Sequence, residues 1–195
     1  MGTSRRAPAL PPMLCPLACA ALLLLSCATG KSYHDRKMDF ASVRTVAVLP
    51  LINLSRDNQA SERVRDVFST LLLSTGSIYV LPQGEVARGL SRAAVASPAA
   101  PSKEEVIALG KALAAEAIIT GTLKEYGETR SGSSSANVVS LSLSMTETTT
   151  GTVVWSGTST KGGIGFSERL LGGGGAPMNA VTEEACRDLL DQLFK

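Results

Sequence analysis

The order of strand-like and helix-like segments along 195 residues predicts an α/β (α+β) domain. It would be a mixed β-sheet with parallel crossovers and a C-terminal antiparallel hairpin, with helices packed on the sheet. Three observations carry that prediction. Apolar, β-branched runs at residues 43–51, 77–81 and 117–123 are separated by helix-period segments, the pattern of parallel crossovers. Val139, Leu141, Leu143 and Met145 alternate with Ser140, Ser142 and Ser144, and Thr148-Thr149-Thr150-Gly151 turns that strand back on itself as a hairpin. Finally, 44% hydrophobic residues suffice for a core and exclude a wholly disordered chain, and the length suits one domain with appendages.

Residues 1–26 read as a lipoprotein-type signal peptide. Arg5 and Arg6 form a basic start, and Met13 to Leu25 is apolar, too short to span a bilayer comfortably. The run ends in Leu24-Leu25-Ser26-Cys27, which resembles the bacterial lipobox. That resemblance implies that Cys27 becomes the first residue and carries a thioether diacylglycerol and an acylated amine, a covalent lipid in place of any cofactor. Several acyl chains anchor essentially permanently, since each buried methylene contributes about 0.8 kcal/mol. Ala28 follows where an aspartate would retain a lipoprotein in the inner membrane, so the expected location is the outer membrane, with the domain in the periplasm.

The signal holds two of the 19 basic residues and none of the 17 acidic ones, so the remainder is electrically balanced. No basic block survives, which excludes an electrostatic footprint for nucleic acid. Residues 27–42 read as a lipidated tether, polar and without period; at roughly 5–6 Å × √n it would keep the domain within ~20 Å of the membrane. His34 lies on it, and one imidazole without companions is not a metal site.

Residues 43–195 read as one domain. Val43 to Leu51 is a buried strand closed by Pro50, and Asn53 to Asn58 is turn chemistry. Ala60, Val64, Val67, Phe68, Leu71 and Leu72 recur at helical spacing, with Glu62, Arg63, Arg65 and Asp66 elsewhere on the wheel and Gly76 ending the helix. Ser77 to Leu81 is a second strand, and 84–95 a short helix. Ser102 and Glu105 form a capping box for a helix burying Val106, Ile107, Leu113 and either Leu109 or Gly110. That helix leads into a third strand, Ala117 to Leu123, and then a flexible loop, 131–135. After the hairpin, a final helix from about Asn179 to Phe194 packs Val181, Ala185, Leu189 and Leu193 on one side, with Cys186 as a small core residue.

Catalytic sets are missing from the pattern. The only histidine is on the tether, so a Ser/His/Asp triad has no base. Gly165-Phe166-Ser167 opens like a nucleophile elbow, but Arg169 replaces the final glycine. Neither a P-loop nor a G-x-G-x-x-G motif occurs. Glu104-Glu105 and Glu183-Glu184 read as helix-start carboxylates that favour the macrodipole. No enzyme, metal site or small-molecule substrate is expected. The glycine-rich segment 162–175 reads either as a surface loop or as a short helix presenting Phe166, Leu170 and Leu171 to a partner.

Three stretches together resemble a group of bacterial envelope lipoproteins: Val46 to Asn53, Ala108 to Gly121, and Thr149 to Gly157. They look like the CsgG-like curli-secretion family and like LpoB-type activators of peptidoglycan synthases, which share a TolB N-terminal-like fold. Glu116 departs from the aspartate expected there. The resemblance implies an accessory or assembly factor for an envelope or secretion complex. Its alternatives are an oligomeric CsgG-like channel subunit or an activator of a peptidoglycan synthase. Partners would be the membrane through the lipid, and envelope proteins or further copies of the chain. CsgG-like channels build a barrel from long amphipathic hairpins; here residues 131–136 are short and 162–175 is glycine-rich, which weighs against a self-made pore.

Overall fold

The computed structural model describes residues 32–132, 134–164 and 175–195. Its centre is a seven-stranded mixed sheet carrying four helices, as the element order predicts. The strands are β1 (Tyr33–His34), β2 (Thr45–Val48), β3 (Ile52–Asn53), β4 (Tyr79–Val80), β5 (Ala117–Ser131), β6 (Ser134–Glu147) and β7 (Thr152–Gly162). The helices are α1 (Ala60–Ser74), α2 (Gln83–Arg92), α3 (Lys103–Leu113) and α4 (Met178–Leu193). Along the sheet the order is β1-β7-β6-β5-β2-β4, with β3 also paired to β5. The β2, β3, β4 and β5 contacts are parallel, whereas β5-β6, β6-β7 and β7-β1 are antiparallel.

Period-two alternation distributes the apolar residues to both faces. Val46, Val48 and Ile119 turn to one side, where α1 packs with Val64, Phe68 and Leu72 and α4 with Val181, Ala185 and Leu189. Ala47, Leu49 and Ile118 turn to the other side, against Val86 and Leu90 of α2 and Val106 and Leu109 of α3. The parallel half is thus covered twice, which is why its strands are continuously apolar. The antiparallel half is covered once. On its open face hydroxyls pair across strands, Ser140 with Thr160 at 2.8 Å, Ser142 with Thr158 at 3.0 Å and Ser144 with Ser156 at 3.1 Å.

Local chemistry sets the helix boundaries. Ser102 Oγ accepts from Glu105 N at 3.2 Å while Glu105 Oε2 accepts from Ser102 N at 2.7 Å, the reciprocal box read from the sequence. Gly110 lets α3 approach the β6-β7 turn: a Cβ there would stand 2.3 Å from Thr148 Cβ. Thr148 Oγ1 in turn donates to Ala115 O at 2.6 Å, holding that turn against the end of α3. Leu109 is also fully buried, so both alternatives read at this turn of the helix face inward.

Four details differ from the sequence reading. Part of the segment read as tether is docked: β1 pairs with β7 in the register Tyr33↔Ser156 and His34↔Trp155, and Met38 and Phe40 pack on the core. Two residues of strand inside a polar stretch leave no periodic signal. β5 runs on to Ser131 through an irregularity near Lys124; 124–131 pairs with β6 alone, and with only Tyr126 packed on the core it shows no apolar alternation in the sequence. Arg65, placed among the polar residues of α1, is only 7% exposed, held by Gln83 Oε1 at 2.7 Å and Glu62 Oε2 at 2.9 Å. Glu183 and Glu184 lie in the second turn of α4, whose first turn holds no acidic residue. They act through ion pairs instead, Glu183 with Arg187 at 3.5 Å and Glu184 with Lys161 at 3.8 Å.

Candidate functional site

The residues singled out for lipidation, Cys27, and for partner binding, Phe166, Leu170 and Leu171, lie outside the described residues, as does the Gly165-Phe166-Ser167 turn. What the structure builds is the ground that follows Cys27 along the chain. Tyr33 follows Cys27 by six residues, so covalent geometry keeps β1 within about 20 Å of that sulfur at full extension.

Beside β1, a cavity of about 550 Å³ opens at the end of the sheet. Several chain segments converge on it. They are the 3-10 turn Phe40–Ser42, the start of β2, the connection from α1 to β4, the end of β6 and the C-terminal residues after α4. Its walls are apolar through Phe40, Val43, Ile78, Met145, Leu193 and Phe194. Asp39 caps the 3-10 turn by accepting from Ala41 N at 3.0 Å, which fixes Phe40 at the wall. His34 stacks edge-on against Phe40, with ring centroids 5.7 Å apart, and its buried Nε2 has no hydrogen-bond partner among the described residues. Arg44 and Lys195 complete the lining, which contains no carboxylate side chain. Neither cation makes an ion pair among the described residues. The sequence reading left His34 on a tether and did not find this cavity, because its lining residues come from six separate stretches of chain.

Elsewhere the reactive groups are committed to structure. Cys186 is fully buried in α4, and burial, with the nearby Glu183 charge, pushes its thiol up to about 12. Glu105 accepts from the backbone of Ser102 and of Ala96, and these two bonds hold its carboxyl below the usual range. Among the described residues no group of three His, Cys, Asp or Glu is placed to hold a metal ion. No helix among them is long and apolar enough to cross a membrane.

The family profile described as "Putative lipoprotein GNA1162-like" matches residues 35–192. This chain belongs to the GNA1162-like family. Its range begins just after β1 and ends within α4, so it takes in nearly the whole sheet and all four helices. The fold is similar to the crystal structure of lipoprotein GNA1162 from Neisseria meningitidis, at 18% identity and TM-score 0.56, covering 77% of this chain and 98% of that one. It is equally similar to the PelC dodecamer from Paraburkholderia phytofirmans, at 16% identity and TM-score 0.56, covering 84% and 98%. A further similarity, to the LpoB C-terminal domain from Escherichia coli, has 12% identity and TM-score 0.48, covering 64% and 87%. No curated protein sequence matches the chain. The family is therefore GNA1162-like.

Proposed function

We propose that this protein is a non-catalytic lipoprotein of the outer membrane, anchored through acyl groups on Cys27, with its α/β domain in the periplasm. It works as an accessory or assembly factor for an envelope or secretion complex. The observation that carries this reading is the coincidence of a lipoprotein family over residues 35–192 with Leu24-Leu25-Ser26-Cys27 upstream of it. The absence of catalysis is supported by the fates of the reactive side chains. Cys186 is a buried neutral thiol, and the acidic pairs serve a cap and surface ion pairs. The segment holding Phe166, Leu170 and Leu171, three apolar residues within a glycine-rich stretch of sequence, is the proposed contact for a protein partner.

The anchor is tested by growing cells with a clickable palmitate. Wild-type protein takes up label and fractionates with the outer membrane, and Cys27→Ala protein takes up none. Equal labelling of the two would remove the anchor from the account. A second reading, an oligomeric envelope subunit, is supported by the similarity to a structure described as a dodecamer over 84% of this chain.

A further inference from the structure

The cavity beside β1 is not required by an anchor or by a protein contact, and its chemistry is specific enough to name a ligand class. We propose that it binds a single acyl chain bearing an anionic head group. The chain lies against Phe40, Ile78, Met145 and Leu193, and the head sits at the side of the mouth held by Arg44.

Four observations converge on that ligand. A volume of about 550 Å³ is within the roughly 300–1,000 Å³ typical of small-molecule sites. The walls are aliphatic and aromatic, so an alkyl chain displaces water from them without stranding polar groups. The charged side chains in the lining are Arg44 and Lys195, and Arg44 makes no ion pair among the described residues, so an anion beside it gains charge-assisted hydrogen bonds at no cost to a pair seen there. His34 Nε2 is a buried polar atom without a hydrogen-bond partner among the described residues, which a head-group oxygen would satisfy. Ser77 and Ala41, both exposed, line the cavity from two separate stretches of chain.

The position of the cavity deepens the reading. If Cys27 is lipidated, the seven residues from there to His34 keep the cavity within about 25 Å of the bilayer surface, where such amphiphiles are concentrated. This clause rests on the proposed anchor; the binding chemistry does not.

Trp155, the single tryptophan, reports on the site, because its cross-strand partners His34 and Met145 both line the cavity. The experiment titrates the full chain, reconstituted in phosphatidylcholine vesicles, with dibromostearate, whose bromines quench indole fluorescence at short range. Saturable quenching is expected in the lipidated protein and in Cys27→Ala alike. Arg44→Glu weakens the apparent affinity by about tenfold or more. Ala41→Phe and Ser77→Phe, at exposed positions of the lining, abolish the saturable phase while the melting temperature stays at the wild-type value. Three results would overturn the proposal. One is equal quenching by the neutral dibromostearyl alcohol or by brominated phosphatidylcholine alone, which would mean mere proximity to hydrocarbon. Another is undiminished quenching in both filled variants. The third is quenching seen only in Cys27→Ala, which would place the protein's own acyl chain in the cavity. Palmitate labelling reports separately on the anchor, so either idea can fail without the other.

Discussion

Cys186 shows how its neighbours decide what one side chain can do. A free thiol invites a redox role, yet this one sits at 0% exposure where α4 packs on the core. Burial first, then the Glu183 charge, raises its pKa from an ordinary 9.0 to about 12. Because the thiolate is the nucleophile, native protein at pH 8 is expected to resist iodoacetamide, and denatured protein to react at the rate of a free thiol, both read by mass spectrometry. The raised value also sets a direction for stability. The folded state keeps its proton where the unfolded state loses it, so stability is intact below pH 9 and declines as pH rises towards 12. A Cys186→Ala protein lacks that alkaline decline. Reaction of the native thiol as fast as the denatured one would contradict the burial. Arg65 makes the complementary point: helical spacing put it with the solvent-facing residues, and Gln83 from the next helix, together with Glu62 on its own, makes its burial tolerable.

Among the elements, α3 is the one whose boundaries the sequence marked best, because its start depends on contacts within four residues. Ser102→Ala removes the side-chain acceptor for Glu105 N and is expected to cost about 1 kcal/mol, seen as a lower midpoint in urea followed by Trp155 fluorescence. The same box gives an acid dependence of known sign. The Glu105 carboxyl is held below its usual value, so its contribution is present above that value and disappears as pH falls through the lowered one. Glu105→Gln should therefore flatten part of the stability loss on acidification; an unchanged acid limb would show that the box carries no such term. Strand β5 is the contrasting case. Its first seven residues, Ala117–Leu123, are mostly apolar and were legible; Lys124–Ser131 extends the strand by pairing with β6 alone, and with Tyr126 its one apolar side chain packed on the core it carries no alternation to read.

Across the domain, the two halves of the sheet end differently. Residues 124–131 of β5 and 157–162 of β7 each pair on one side with β6 and, among the described residues, have no strand on the other. Head-to-tail joining of such edges is one way a ring could close. Lys124, Glu125, Glu128 and Arg130 stand along the β5 edge, and charge there opposes strand addition. The accessory-factor reading accordingly expects the detergent-solubilised, lipidated protein to run as a monomer in mass photometry. A discrete ring would move the account to the oligomeric subunit. The two faces follow the same division of labour: the double-covered parallel half holds the core, and the hydroxyl ladders of the antiparallel half leave one side wet.

The amino-acid order alone was enough for the α/β class, the capping box, the hairpin and the apolar face of the last helix, because each rests on periodicity or on interactions a few residues apart. Docking of Tyr33–His34 on β7, burial of Arg65 and the assembly of the cavity depended on segments far apart in the chain. His34, Arg44, Ile78, Met145 and Leu193 have no spacing in common; they meet because the sheet brings the start of β2, the start of β4 and the end of β6 to one end, where α4 finishes. Contacts of that kind are set by closure of the whole sheet, and no local pattern announces them.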